Sequence, residues 1–370
     1  MNTVNHALAV TTEAFARALE EQLAAVSWLR GGKIKRSTAK STGYDLFMEL
    51  PLPHGGKAAL CVACKKEMRP SVFLSLAGRS FSPPGKPALV LPLLALPWVS
   101  PRMAELCLQH GWSWYDLAGN CHLDVPGLLR LERTGRKVLP ARPRSGANLG
   151  TPEAGRVLRV LLHTANTGRS WTQRELQSHI HPAVSLGLVN KVVRHLREEA
   201  LIEAGEDGGI FVPDPRTLLF AWRDAYRFDK HPRMNYFTLL QGAKLRDALA
   251  AFALGTGGFA AYAGFSAAEF QAPHVRQAKT WLYVREQDLS LFERKVEAKP
   301  VDSGENLVLL LPNDEGVFYL TDRSADRMPC TNDVQTYVDL YHSAGRGEEA
   351  AEALLHQRLE VEWRKRGMQL

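Results

Sequence analysis

The composition of this 370-residue chain, with 45% hydrophobic and 23% charged residues, is that of an ordinary globular protein and excludes wholesale disorder. Its length allows two or three domains, each with its own core. The longest apolar run, residues 88–99, is interrupted by Pro92 and Pro97 and falls short of the roughly 18 residues that a membrane helix needs. The five cysteines are too few and too scattered for a disulfide framework. Because the N-terminus also lacks a secretion signal, we expect a soluble cytoplasmic protein without a membrane partner.

Positive charge is unevenly distributed along the chain. The net charge of +7 combines roughly +9 in residues 1–150, about +2 in residues 151–235 and about −4 in residues 236–370. The basic first third permits contact with phosphates, whereas the acidic last third is not expected to meet them.

The first third predicts a mixed domain of helices and strands. A helix over residues 12–28 precedes the strand-like runs YDLFMEL, KAALCVAC and ALVLPLL. Ser100 as N-cap and Pro101 at the first helical position then start another helix. The runs WSWYDLA, CHLDV and LLRLERTGR follow. We predict a basic α/β domain over residues 1–138 and a linker rich in Pro, Gly and Arg over residues 139–150.

Residues 151–215 are predicted to form a winged helix-turn-helix. Pro152 starts a first helix, and Thr172 and Glu175 have the spacing of a capping box that starts a second one. Ser185 can cap a third helix, whose apolar positions follow the i, i+3, i+4, i+7 pattern. The strands LIEA and GIFVP, joined by GEDGG, then make a hairpin. In such a module the third helix enters the major groove and the hairpin lies along the DNA backbone.

The outward face of this third helix carries side chains that can read bases. Asn190 and Arg194 are suited to bidentate hydrogen bonds with adenine and guanine edges, and Lys191 can meet phosphate or guanine. Two other interpretations of this charged face stay open, namely a solvated surface and a protein–protein contact. The predicted DNA-binding set consists of Thr172, Gln173, Arg174, Ser185, Asn190, Lys191 and Arg194.

Residues 216–370 are predicted to form a second α/β domain without chemistry of its own. Helices are predicted over residues 216–228 and 236–254, followed by the strands TWLYV, LVLLLP and VFYLT and by two closing helices. The run GTGG has neither the spacing of a phosphate-binding loop nor that of a dinucleotide fingerprint. We expect this domain to support dimerisation or a contact with another protein.

A lone pair of cysteines, Cys61 and Cys64, has the CxxC spacing of metal and redox sites. No second CxxC completes a zinc ribbon, although Cys107, His110, Cys121 and His122 could supply further ligands. We interpret the pair as two small buried residues.

The same region has the outline of a degenerate restriction-endonuclease-like core. Asp45 takes the place of one metal-binding acid, and Lys65 or Lys66 takes that of the lysine. The second acid falls on Ala63 or Cys64, and neither binds Mg²⁺ as a carboxylate does. We therefore predict no catalytic residue, no metal and no cofactor.

Three blocks of the sequence resemble one known family. The run LCLQHGWSWYDLAGNCHLDVPGLLRLERTGR contains an Asp-x-x-Gly-Asn block that is similar to one in AbiEi-like proteins, the antitoxin and transcriptional-regulator half of type IV toxin–antitoxin systems. The runs FSAAEFQAPH and TYVDLYHSAGRGEEAAEALL resemble the C-terminal parts of such proteins. The resemblance implies a protein that binds repeats in its own promoter, represses it and neutralises a nucleotidyltransferase toxin. Here the predicted winged helix is central and follows a basic domain.

These observations predict a sequence-specific DNA-binding transcriptional regulator, an autorepressing antitoxin-like protein. The expected partners are double-stranded operator DNA, a second copy of the chain in a homodimer, and a nucleotidyltransferase-type toxin encoded nearby. The alternative is a DNA-processing nuclease whose N-terminal domain cuts and whose winged helix targets. The missing metal carboxylate disfavours this alternative.

Overall fold

A computed structural model describes residues 11–24, 26, 33–37, 43–51, 57–85, 87–127, 129–136, 146–255, 258–324 and 328–368. These residues form two compact units. The first unit holds the described residues before 146 together with Glu198–Ala200, and the second unit holds the remainder. The prediction of a mixed α/β chain of more than one domain is confirmed.

The first unit is a mixed sheet with helices. Its strands and helices are α1 (Thr12–Leu23), β1 (Lys35–Arg36), β2 (Leu46–Pro51), β3 (Lys57–Cys64), α2 (Pro70–Ala77), β4 (Leu89–Leu96), α3 (Pro101–Gln109), β5 (Ser113–Asp116), β6 (Cys121–Val125) and β7 (Leu129–Arg133). In the described part of this unit the strands lie side by side in sequence order. The pairs β3–β4 and β4–β5 are parallel and the others are antiparallel.

Local signals located most elements of this unit. Helix α3 begins as predicted, because the Ser100 hydroxyl oxygen accepts a hydrogen bond from the Met103 amide at 3.1 Å. Helix α1 ends at Leu23, earlier than the predicted residue 28, which lies outside the described residues. Helix α2 was not predicted. It opens with Pro70 at its first position and buries Phe73.

The Asp-x-x-Gly-Asn block forms the turn between β5 and β6. The buried Asp116 carboxylate accepts hydrogen bonds from the Asn120 backbone N–H at 2.9 Å and from its side-chain amide at 3.0 Å. Gly119 has φ +95°, and a β-carbon there would overlap the Arg136 side chain. The residue types of this block are thus explained by the geometry of a turn.

The second unit contains the remaining elements. These are α4 (Pro152–Leu162), α5 (Gln173–Ser178), α6 (Leu186–Glu198), β8 (Glu203–Ala204), β9 (Ile210–Phe211), α7 (Pro215–Ala225), β10 (Arg233–Thr238), α8 (Gly242–Leu254), β11 (Ala260–Tyr262), α9 (Gly264–Gln271), β12 (Thr280–Val284), α10 (Leu289–Lys295), β13 (Ala298–Pro300), β14 (Leu307–Leu310), β15 (Asp322–Arg323), β16 (Pro329–Cys330), α11 (Asp333–Tyr341), α12 (Gly347–Leu354) and α13 (Glu360–Lys365). A mixed sheet runs in the order β13-β10-β14-β12-β11-β16-β15.

Two element predictions in this unit are wrong. The helix predicted from residue 236 starts only at Gly242, because residues 233–238 form strand β10 between β13 and β14. Tertiary pairing outweighs the local helical pattern there. The strand predicted over VFYLT is replaced by a short 3₁₀ turn, Glu315–Phe318, in which the Gly316 amide donates a hydrogen bond to the Asp314 side chain.

Helices α4 to α6 share one hydrophobic core with the helices that end the chain. Val157 and Leu161 of α4 are buried in the same cluster as Tyr337 of α11 and Trp363 of α13. The indole N–H of Trp363 donates a hydrogen bond to the Leu162 carbonyl at 3.4 Å. The domain boundary that we predicted at residue 215 lies inside this compact unit.

An ion pair between Arg156 and the buried Asp314 connects α4 to the loop that precedes the 3₁₀ turn Glu315–Phe318. The Arg156 Nε donates to the Asp314 carboxylate at 2.9 Å, and the Asp314 side chain is only 4% exposed. Arg156 also donates from Nη1 to the carbonyls of Pro182 and Ala183, each at 3.3 Å. A single guanidinium therefore joins α4, Asp314 and the segment between α5 and α6.

A second buried polar network surrounds Asp339 of α11. Its Oδ1 accepts hydrogen bonds from the hydroxyls of Tyr226 and Tyr283 and from the amide of Gln335, at 2.7, 3.1 and 2.7 Å. The imidazole of His231 accepts from the Asn313 N–H through Nδ1, so its Nε2 donates to the Tyr226 hydroxyl at 2.9 Å. Burial raises the pKa of Asp339 to about 7 and lowers that of His231 to about 4.

These shifts predict opposite effects of pH on stability. Folded Asp339 keeps its proton to about pH 7, whereas the unfolded carboxyl loses it near 3.8, so its contribution is lost as pH rises between these values. The contribution of neutral His231 is present above pH 6.5 and is lost as pH falls towards 4. Between pH 3.8 and about 7, which we call the Asp339 window, the free energy of unfolding of the wild type should fall by up to about 1.4 kcal/mol per pH unit because of this carboxyl. Asp339→Asn lacks the carboxyl, so its free energy of unfolding, measured in urea, should rise relative to that of the wild type by the same amount.

The matched control is Asp229→Asn. Asp229 is exposed, and its pKa is lowered from 3.8 by the hydrogen bond from Arg227, so its titration lies below that window. Its unfolding free energy should therefore run parallel to that of the wild type. If Asp339→Asn also runs parallel, the buried carboxyl is not protonated in the folded protein.

Candidate nucleic-acid interface

The second helix of the predicted DNA-binding segment begins as the sequence indicates. The Thr172 hydroxyl oxygen accepts from the Glu175 amide at 3.2 Å, and the Glu175 carboxylate accepts from the Thr172 amide at 2.9 Å. The hydrogen bonds that this carboxylate accepts from the Thr172 amide and from the Thr172 hydroxyl lower the pKa of Glu175. The predicted capping box is confirmed. It directs Gln173 and Arg174 to the first turn of α5.

Helix α6 has one buried apolar face and one polar face. Ser185 precedes it, and its hydroxyl oxygen accepts from the Leu188 amide at 3.2 Å, as expected of a cap. The predicted apolar positions are all buried, namely Val189, Val192, Val193 and Leu196. The register of the helix is therefore fixed by the core, which leaves Asn190, Lys191 and Arg194 exposed.

The structure brings the start of α5 and the middle of α6 together. The Asn190 side-chain amide donates to the Gln173 side-chain oxygen at 3.3 Å. This contact orients both amides on one surface, which we call the amide pair. Of the predicted set, Thr172 and Ser185 use their hydroxyls in caps, while the other five residues have side chains at or near the surface.

Four cations lie on the same two helices as the amide pair, namely Arg174, Lys191, Arg194 and Arg197. All four are exposed, and none makes an ion pair or hydrogen bond with another residue in the described part of the chain. Arg197 was missed in the sequence analysis, although it follows Arg194 by three positions and so lies on the neighbouring turn of the same helix. Unpaired arginine and lysine side chains are free to bind an anion such as phosphate.

The hairpin after α6 is short and acidic. Its two-residue strands pair Glu203 with Phe211 and Ala204 with Ile210, and Trp171 adds a bridge to Ile210. The exposed acids are Glu203, Glu206 and Asp207. Asp207 holds the tip by accepting hydrogen bonds from the Ser170 hydroxyl and the Gly209 amide. These charges oppose close contact between the hairpin tip and phosphate.

Asp45 and Lys65 of the first unit lie together, as the nuclease outline predicts. The Asp45 carboxylate accepts from the Cys64 amide at 2.7 Å and from the Lys65 Nζ at 3.2 Å. Ala63, which has the place of the second acid, is fully buried and has no metal-binding atom in its side chain. Burial raises the pKa of the Cys64 thiol to about 12, so that thiol is protonated at neutral pH.

Two basic clusters of the first third of the sequence, residues 33–40 and 130–144, are only partly within the described residues. Lys33, Lys35 and Arg36 are exposed, and Arg36 pairs with Glu13. Arg133 donates to the Gln22 side chain at 2.7 Å. Four other basic residues of these clusters lie outside the described part, namely Lys40, Lys137, Arg142 and Arg144.

The described residues contain neither a metal-binding cluster nor a membrane-spanning helix. No group of three or more His, Cys, Asp or Glu side chains there is placed to hold a metal ion. None of the helices in the same part of the chain is long and apolar enough to cross a membrane.

Part of the chain matches a known family. Residues 212–360 match the family model AbiEi_2, which is described as transcriptional regulator, AbiEi antitoxin, type IV TA system. This confirms the resemblance predicted from the two C-terminal blocks. The block of residues 106–136 and the predicted DNA-binding residues lie outside the match. The curated proteins and the solved structures gave no match.

Proposed function

We propose that this chain, a relative of AbiEi antitoxins over residues 212–360, is a sequence-specific DNA-binding transcriptional regulator. The observation that carries the proposal is the surface of the amide pair. It offers two side-chain amides and four unpaired cations on two helices whose register is fixed by capping and by the core. Amides and guanidinium groups read bases, and cations neutralise phosphates.

Each predicted residue has a role in this proposal. Helix α6 enters the major groove, where Asn190 and Arg194 contact base edges and Lys191 contacts the backbone. Gln173 holds the Asn190 amide in place, and Arg174 meets phosphate beside it. Thr172 and Ser185 act through the caps that start the two helices. We assign little of the affinity to the acidic hairpin tip.

The match to the AbiEi_2 model over residues 212–360 supports a regulatory role. We propose that the chain represses its own promoter as an antitoxin, with a nucleotidyltransferase-type toxin as genetic partner and a homodimer as the DNA-binding form. Dimers suit operators with two half-sites, because each copy reads one of them.

Lys191→Ala tests the backbone contact. We expect the variant to bind the protein's own upstream DNA more weakly than the wild type does. The loss of affinity should be about the same for DNA of any sequence, because a phosphate contact carries no sequence information. The slope of log affinity against log salt should fall by about 0.9, as expected for one lost phosphate contact. Fluorescence anisotropy over a range of salt concentrations measures both effects.

Lys299→Ala is the control, because Lys299 is an exposed lysine on strand β13 of the acidic C-terminal part. It removes the same charge and should leave the slope unchanged. An equal loss of slope in both variants would mean that Lys191 acts only through net charge.

The contact between Asp45 and Lys65 keeps the nuclease alternative open to a direct test. We expect no strand cleavage by the wild type with Mg²⁺ or Mn²⁺, because Ala63 stands where the second acid is needed. Incubation of plasmid and linear DNA with the full chain, followed by gel electrophoresis, measures this. Cleavage by the wild type that disappears in Asp45→Ala would establish the alternative.

A further inference from the structure

A small aromatic pocket lies beside the segment that joins α5 and α6. Its volume is about 240 Å³, and its lining includes His181, Pro182, Phe259, Arg285, Phe318 and Tyr319. The first two residues belong to the segment between α5 and α6, and the others belong to the C-terminal part of the same compact unit.

The ring arrangement of this pocket suits a planar guest. Phe259 and Phe318 pack edge to face with their centroids 4.7 Å apart, and His181 lies 5.2 Å from Tyr319. All four rings remain partly exposed. A cavity of about 150 Å³ lined by apolar side chains already binds benzene. The volume here is larger, about 240 Å³, and the pocket opens to solvent, so one or two fused rings fit with one side left in contact with water.

The charges around the pocket select the type of ring. Arg285 lies 5.6 Å from the Phe259 ring, and its Nε donates to the buried Asp288 carboxylate at 2.8 Å. The exposed Glu315 carboxylate lies 3.9 Å from the Arg285 Nη1. The buried Asp288 thus neutralises Arg285, whereas the Glu315 carboxylate, which lines the pocket, accepts no hydrogen bond from another residue in the described part of the chain. An anionic ring is disfavoured, whereas a ring with an N–H donor or a positive charge is favoured.

The pocket is connected to the DNA-binding helices by direct contacts. Glu315 and Phe318 belong to the 3₁₀ turn that Asp314 caps through the Gly316 amide at 2.9 Å. The same carboxylate pairs with Arg156, which donates to the carbonyls of Pro182 and Ala183. A guest between the 3₁₀ turn and Pro182 therefore touches both ends of this chain of contacts.

We propose that this pocket is an effector site for a small planar aromatic molecule that carries an N–H donor or a cationic amine. The guest alters the placement of the segment between α5 and α6 and thereby changes the affinity for DNA. This second statement rests on the proposed function, whereas binding of the ring does not.

Saturation-transfer NMR on the full chain tests the site with indole, benzylamine and benzoate as probes. Indole and benzylamine should give saturable signals at millimolar concentration, and benzoate should give a signal several-fold weaker. Phe318→Leu should reduce the indole signal at least threefold. Glu315→Gln should weaken benzylamine about threefold and leave indole unchanged, as expected for the loss of one exposed ion pair.

Phe237→Leu is the matched control, because Phe237 is a 40% exposed phenylalanine on β10 that does not line the pocket. It should bind both probes like the wild type. Absence of indole and benzylamine signals with the wild type, or signals that Phe318→Leu does not change, would overturn the site. Because leucine is apolar and Glu315 is exposed, both variants are expected to fold, and thermal unfolding verifies this.

Anisotropy with upstream DNA, with and without indole, then tests the coupling. We expect the affinity for DNA to change at least threefold in the wild type and to stay constant in Phe318→Leu. Binding of indole without any change in the affinity for DNA would refute the coupling and keep the site. Failure of the wild type to bind any upstream DNA would refute the proposed function and leave the NMR result unaffected.

Discussion

Replacing Asn190 and Arg194 together by alanine should weaken binding to the protein's own upstream DNA at least about thirtyfold, because each bidentate base contact contributes about 1–3 kcal/mol. The preference for particular bases should relax at the positions that these side chains read. Arg194→Ala alone should lose about 1–3 kcal/mol and relax one position. Anisotropy with a panel of single-base operator variants measures both quantities.

The fold should tolerate these changes. Asn190 and Arg194 are exposed, and alanine has a higher helix propensity than asparagine and is at least as good as arginine. Arg294→Ala is the control, because Arg294 is an exposed arginine on α10. It should bind DNA like the wild type. If the double variant binds as tightly as the wild type, α6 is not the helix that reads DNA.

Asp314→Ala should lower the free energy of unfolding by about 3–5 kcal/mol, as expected when one partner of a buried ion pair is removed. The substitution removes the carboxylate that pairs with the Arg156 guanidinium, and it also removes the cap of the 3₁₀ turn. It also leaves Arg159, whose side chain is 3% exposed and whose Nη1 lies 3.9 Å from Asp314, with less compensation. Urea unfolding monitored by circular dichroism measures the loss.

Two further variants separate the causes. Asp314→Asn removes the charge but keeps a side-chain oxygen that can accept from the Gly316 amide. The loss of unfolding free energy in Asp314→Asn therefore measures the ion pair, and the additional loss in Asp314→Ala measures the cap. Asp229→Ala breaks an exposed pair with Arg227, in which both side chains are 60% exposed, and should cost less than about 1 kcal/mol. Equal losses in Asp314→Ala and Asp229→Ala would show that the buried pair contributes nothing special.

Local signals made α5 and α6 predictable from the sequence. The capping box of Thr172 and Glu175 needs only residues three positions apart. The apolar periodicity of α6 fixes which side faces the core, and hence which side Asn190, Lys191 and Arg194 occupy. Both features depend on neighbours along the chain, and both are found in the structure.

Features that depend on distant residues could not be predicted in the same way. Arg156 and Asp314 are far apart in sequence, as are Gln335 and Arg159, and nothing in the local patterns marks them as partners. The local pattern predicts a helix from residue 236, where strand β10 lies, because the pairing of β10 with β13 and β14 depends on residues at least sixty positions later. Tertiary contacts decide such cases.

The predicted DNA-binding surface could be predicted from the sequence only in part. Its exposure follows from helical periodicity, whereas the contact between Gln173 and Asn190 depends on how α5 and α6 pack. The same holds for Asp45 and Lys65, whose proximity follows from the antiparallel pairing of β2 with β3. In both cases the sequence supplied the residue types and the fold supplied the distances.

The most direct measurement of the central claim compares the affinity of the full chain for its own upstream DNA with that for a shuffled duplex of equal length and composition, at about 0.15 M ionic strength. A sequence-specific regulator should bind the upstream DNA at least about a thousandfold more tightly. Loss of Asn190 and Arg194 should bring the two affinities close together by weakening the specific complex. Equal affinity of the wild type for both duplexes would contradict the proposal that the surface of α5 and α6 reads sequence.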